Sequence, residues 1–170
     1  HSCDMDKIIS ISKKYNLKII EDAAQSPLGK YKGKYLGTVG DVGGFSLNYH
    51  KTIHCGEGGI VTTNDDNIAL RLKLIRNHGE AVIDRINDKI EGNIFGGNFR
   101  MNEIEAAISF EQLKKLPFLT TYRKKLAKYL YDKLKKYEYL KLPPKDINGT
   151  TNVFYFFVIL FDKKKSKISR

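Results

Sequence analysis

Residues 41–59 read DVGGFSLNYHKTIHCGEGG, and the rest of the chain can be placed around this stretch. A short apolar run, 44–48 (GFSLN), leads straight to Lys51. The glycine-rich turn Gly56-Glu57-Gly58-Gly59 follows, and a second β-favouring run, 60–63 (IVTT), comes directly after it. Lys51 is therefore expected in a tight polar loop between two buried strands. A lysine held in such a loop can serve as a nucleophile. Taken alone, in a chain this rich in lysine, it would read as a solvated surface residue, so the groups that surround it must decide.

Length and composition set the bounds. At 170 residues the chain is long enough for one domain with a core, or for one domain and part of another. Hydrophobic residues make up 41%, and no apolar run reaches membrane-spanning length, so no membrane partner is expected. Cys3 and Cys55, the 2 cysteines, lie far apart, which fits a reducing, cytoplasmic setting without a disulfide framework. The formal net charge is +11. Its excess lysines are spread over the expected helices and the run Lys163-Lys164-Lys165, without the interleaved aromatics of an RNA-binding face. No nucleic-acid partner is expected; a soluble lysine-rich surface or an anionic small substrate fits better.

In chain order, residues 4–15 are expected to form a helix capped by Asp4, and 17–20 a parallel strand ending at Glu21-Asp22. Functional groups of such sheets gather beyond the carboxyl ends of strands, which is where Asp22 and Gln25 stand. Residues 31–35 (YKGKY) read as a small hairpin with a Lys-Gly turn. A helix is expected from Asn64-Asp65-Asp66 to about Asn77, then a long ordered loop over 80–97. Asn102 and Glu105 have capping-box spacing at the head of a helix that Pro117 is expected to end. A second helix is expected over 119–137, and 153–161 (VFYFFVILF) as the last strand. The shift in composition near Pro117 divides the chain into 1–117 and 118–170.

One lysine able to form a Schiff base, with a carboxylate to hold a pyridinium nitrogen, is what pyridoxal phosphate (PLP) chemistry needs. Lys51 and Asp22 are candidates for these two roles, and a hydroxyl beside a backbone-rich turn, as at Ser46, can bind a phosphate. The nearby His50, His54 and Cys55 superficially suggest a metal cluster, but the flanking strands and glycines make a loop there, and no metal is expected.

In this order and spacing, Glu21-Asp22-Ala23-Ala24-Gln25, Phe45-Ser46 with Lys51, and Gly56-Glu57-Gly58-Gly59 resemble the DegT/DnrJ/EryC1/StrS aminotransferases. The resemblance continues through Arg76-Asn77-His78-Gly79, Asn98-Phe99-Arg100-Met101, Ala106-Ala107 and Gln112-Leu113. It implies an α/β protein with part of the type I (aspartate aminotransferase) fold of PLP-dependent transferases. Residues 1–117 would belong to the mostly parallel sheet of the large PLP-binding domain, and 118–170 to the start of the small C-terminal domain. It implies a cofactor set of Asp22 at the pyridine nitrogen, Gln25 beside the ring, Ser46 at the phosphate, and Lys51 as Schiff-base and proton-shuttling residue. Asn98 would reach the phosphate bound by a second subunit, so a homodimer is implied.

The implied reaction moves an amino group from glutamate to a nucleotide-linked keto sugar. Two features depart from the family pattern. Asn48 stands where the family often has histidine, which bears on the sugar substrate. The chain is also shorter than family members, so parts of the phosphate site and the ring-stacking aromatic are expected outside it, and the 170 residues alone are expected to be inactive. One alternative is a sugar dehydratase of the same family, whose members typically have histidine in place of the Schiff-base lysine. Another is a basic binding module without catalysis.

Overall fold

A computed structural model describes residues 1–80, 94–146 and 149–166. Helix α1, Met5–Tyr15, begins at Asp4, whose carboxylate accepts the Lys7 amide, and ends at Asn16 in the left-handed region with φ 50°. Asparagine tolerates that conformation better than most residues. Strands β1 (Ile20–Asp22), β4 (Val42–Ser46) and β5 (Gly59–Thr63) form the central sheet in the order β1-β4-β5. The sheet is mixed. The parallel pairing expected of β1 is present, from Ile20 opposite Val42 to Asp22 opposite Gly44, whereas β4 and β5 run antiparallel on either side of the Lys51 loop.

β1 lies later than the expected 17–20, because Ile19 is fastened from outside the ladder. Its amide donates to Asp41 Oδ2 at 2.8 Å, while its carbonyl accepts the Asp41 and Val42 amides. Pairing then runs on through the two carboxylates, so Asp22 is the last residue of the strand. β4 likewise begins and ends two residues before the apolar run 44–48.

Strands β2 (Lys30–Tyr31) and β3 (Lys34–Tyr35) form the expected hairpin. Lys32 at φ 47° and Gly33 at φ 83° make its two-residue turn, the left-handed pair that matches the twist of a hairpin. β7 (Thr150–Thr151) adds to the other edge of β2. Helix α2, Asp66–Arg76, is capped by Asp65, which accepts the Asn67 and Ile68 amides. The expected loop over 80–97 falls largely outside the described residues.

Helix α3 corrects two expectations at once. It runs unbroken from Glu103 to Leu134, with Pro117 inside it. A proline removes one amide from a helix but need not end it where both neighbouring turns are held. Here Leu116 and Thr120 are buried on either side, and Thr121 Oγ1 donates to the Pro117 carbonyl at 2.8 Å. The capping box at its start is as expected, with reciprocal bonds between Asn102 and Glu105.

The apolar run 153–161 is not one strand. Only β8 (Leu160–Phe161) pairs, with β6 (Leu140–Lys141). Upstream, the Asn152 side chain accepts the Phe154 amide at 2.8 Å and Phe154 takes φ 51°, so a side-chain turn breaks the strand. The rings of Phe154 and Phe157 then pack against Tyr131 of α3.

Two apolar clusters position the site. Met5, Ala23, Tyr31 and Leu36 are buried together and join α1, the end of β1 and the hairpin. Leu47, Ile53, Cys55 and Leu116 form the other and tie the Lys51 loop to α3. Each leucine, isoleucine or methionine among them, once fully buried, contributes about 1.5–3 kcal/mol.

Candidate active site

The Lys51 loop is pinned at both ends. Leu47 precedes it and Ile53 and Cys55 follow it, all buried. The Leu47 amide donates to the Gly58 carbonyl at 2.8 Å, and the Cys55 amide to the Leu47 carbonyl at 3.1 Å. Asn48 and Gly56 form an isolated bridge across the loop's neck. Side chains brace it too: Asn48 Nδ2 donates to Glu57 Oε1 at 2.5 Å, and Asn48 Oδ1 accepts the His50 amide at 3.3 Å. Cys55 is a small buried residue here, with Sγ 3.1 Å from the Glu57 carbonyl. His50 and His54 are exposed.

Lys51 itself is half-buried, and among the described residues its Nζ has no hydrogen bond or ion pair. The Tyr155 ring faces it, with the centroid 5.6 Å away. Lys51 and Ser46 line a common cavity of about 310 Å³, closed on one side by Leu113 and Leu116 of α3. Ser46 Oγ accepts the Asn48 amide at 3.3 Å, which leaves the hydroxyl proton for another acceptor.

Glu21 and Asp22 have opposite surroundings. Glu21 accepts the amides of Gly37, Val39 and Gly40 at 2.9, 2.6 and 2.6 Å. The loop can wrap this closely because Gly37 and Gly43 carry no Cβ: one added at Gly37 would lie 2.4 Å from the Phe45 ring, and one at Gly43 2.0 Å from the Gly37 carbonyl. Asp22 is exposed and accepts only the Ala24 amide, at 3.1 Å through Oδ1; Oδ2 has no partner among the described residues. Asp22 and Gln25 line a second cavity of about 350 Å³ with Asn152 and Tyr155. Ala24 lines the Lys51 cavity, so segment 22–25 borders both.

The structure thus brings Ser46 to Lys51 and Gln25 to Asp22, with segment 22–25 and Tyr155 linking the two pairs. Asn98 lies in neither cavity. It is exposed on a short stretch clamped to the end of α2, where the His78 amide donates to the Gly97 carbonyl and the Phe99 amide to the Arg76 carbonyl, each at 3.0 Å. Arg100 adds a hydrogen bond to Oδ1 of the buried Asn77.

The model of the DegT/DnrJ/EryC1/StrS aminotransferase family matches residues 1–170. The chain belongs to this family. It is 42% identical over 114 residues to GDP-perosamine synthase of Caulobacter vibrioides, covering 67% of this chain and 30% of that one. It is 36% identical to the dTDP-3-amino-3,6-dideoxy-alpha-D-galactopyranose transaminase of Aneurinibacillus thermoaerophilus, over 97% of this chain and 44% of the relative. Among solved structures, the E. coli GDP-4-keto-6-deoxy-D-mannose-3-dehydratase with bound hydrated PLP superposes with a TM-score of 0.82 at 30% identity, over 98% of this chain and 45% of that one. The chain therefore spans less than half the length of each of these proteins. Its fold is part of the type I fold of PLP-dependent transferases, and PLP is the family's cofactor.

The residues present fit that cofactor. Among the described residues, an amine and a carboxylate oxygen without hydrogen-bond partners and a hydroxyl with a free proton border the two cavities. Four further residues, none of them in the expected cofactor set, shape the site. Glu21 organises the turn behind β1, and Asn48 with Glu57 braces the loop. Tyr155 reaches the loop from a distant segment, hidden in an apolar run that reads as plain strand.

Proposed function

We propose that this chain carries the cofactor lysine of a PLP-dependent aminotransferase that moves an amino group from glutamate to a nucleotide-linked keto sugar. The observation that carries this is Lys51 Nζ, unpartnered among the described residues and lining a cavity with Ser46, in a loop buried at both ends. PLP, when bound, supplies an electron-accepting ring. Lys51 would anchor it and would hold at Nζ the proton removed from the amino donor's α-carbon. Asp22 would hold the ring nitrogen protonated, Gln25 would border the ring, and Ser46 Oγ would donate to the phosphate. Asn98, exposed on its clamped stretch, reaches toward the site of a second copy in a homodimer. Residues 1–117 belong to the large PLP-binding domain and 118–170 to the start of the small C-terminal one, with α3 carrying the chain across. A cytoplasmic location suits a nucleotide-sugar substrate.

The dehydratase alternative puts histidine at the lysine's position. His50 is adjacent, but Lys51 is the one that lines the cavity with Ser46. That favours the transferase. The test is to incubate the full-length protein with PLP, glutamate and a panel of nucleotide-linked keto sugars. Amino-sugar formation matched by 2-oxoglutarate is expected. A deoxygenated sugar without a retained amino group would establish the dehydratase instead.

A further inference from the structure

Tyr155 is held at three points. Its hydroxyl donates to the His50 carbonyl at 2.9 Å, a contact between residues 105 apart in sequence. Its own carbonyl accepts a bond from Arg123 Nη1 at 3.1 Å. Its ring lies 5.6 Å from Lys51 Nζ and 5.7 Å from the Arg123 guanidinium, measured to the centroid. It therefore joins α3, the C-terminal segment and the Lys51 loop. It also lines the cavity of Asp22 and Gln25.

The face of an aromatic ring attracts a cation, and the attraction grows as water is excluded. Among the described residues that face is the group that meets the Lys51 ammonium, which has no carboxylate or carbonyl within bonding distance. We infer that Tyr155 is a positioning residue for Lys51. The ring face sets where Nζ points, and the hydroxyl fixes the backbone of the preceding residue, so the C-terminal segment controls the orientation of a lysine on the sheet. This presupposes the role of Lys51 proposed above. The charged and titratable groups around the ring are Lys51 on the loop, Arg123 on α3, and Asp22 and His1 across the cavity; His50 contributes its carbonyl.

The test uses the full-length protein reconstituted with PLP. It follows the rise of the visible band of the lysine–cofactor linkage, which forms with loss of one water, and the pH titration of that band. Lys51→Ala should abolish the band; if the band survives, the role of Lys51 falls and the role of Tyr155 with it. Tyr155→Leu and Tyr155→Met remove the ring face. Each should form the band about tenfold more slowly and titrate at a lower pH, because the protonated linkage has lost its cation–π partner. Tyr155→Phe keeps the face and should stay within about threefold of the parent, with the same midpoint. A purely structural role would lower the melting temperature without moving the midpoint. If Lys51→Ala lacks the band while folded Tyr155→Leu or Tyr155→Met matches the parent in rate and midpoint, the inference about Tyr155 is overturned and the cofactor assignment stands. A Phe variant as slow as the other two would also overturn the role of the ring.

Discussion

The turn behind β1 and the cavity at its end treat neighbouring residues in opposite ways. Behind the strand, Glu21 is bonded to the amides of Gly37, Val39 and Gly40. At the strand's end, Asp22 keeps one oxygen without a partner among the described residues. The same contrast recurs in the loop, where Asn48 and Glu57 bond each other while among the described residues Lys51 Nζ has no hydrogen bond or ion pair, only the Tyr155 ring face nearby. Strand alternation separates the two carboxylates onto different sides. One set of polar side chains satisfies backbone and loop geometry; the other keeps unused bonding capacity beyond the carboxyl end of a parallel strand, where α/β proteins bind ligands.

Substitutions can break this division, and the largest effect should fall on activity alone. Lys51→Ala in the full-length protein should lower aminotransfer by about 10³-fold or more and leave the urea midpoint close to that of the parent. Asp22→Asn should cost at least about tenfold in kcat/KM, equal to about 1.4 kcal/mol of transition-state stabilisation, with stability within about 0.5 kcal/mol. Glu21→Ala should show the reverse. Stranding three amides should cost about 3 kcal/mol in urea unfolding. If Asp22→Asn destabilised as much as Glu21→Ala, the two carboxylates would not be divided as described.

Two smaller effects extend the structural side of the comparison. Asn102 caps α3 through the Glu105 amide at 2.8 Å, so Asn102→Ala should cost about 1 kcal/mol in the same unfolding experiment. Asp41 belongs with Glu21, because the Ile19 amide, and after it the Lys18 ammonium, hold its carboxyl below the usual aspartate range. Its folded form binds a proton less readily than its unfolded form. The stability it contributes is therefore complete above the ordinary aspartate value of 3.8 and is lost as pH falls through the lower folded value. Asp41→Asn should flatten the acid limb of a stability-against-pH curve, read by thermal unfolding.

The loop that holds Lys51 could be read from local order: a strand, one lysine, a glycine turn and a second strand, and the family from the order of short motifs along the whole chain. The hairpin at Lys32-Gly33 and the cap at Asn102 were legible for the same reason, since each is decided within four residues. What was not legible depends on distant partners. Pro117 marks a break only until Leu116 and Thr120 are seen buried on either side of it. The run 153–161 has strand composition throughout, yet the Asn152 carboxamide turns the chain at Phe154. Glu21 and Tyr155 have no local signature, because their partners lie 16 to 19 residues away for the first and 105 for the second.

The most direct measurement is borohydride reduction of the PLP-loaded full-length protein, followed by peptide mapping of the cofactor adduct. The expected result is a single adduct on Lys51, absent from Lys51→Ala. An adduct on another lysine, or a reduced protein with no adduct on the peptide holding Lys51, would contradict the account.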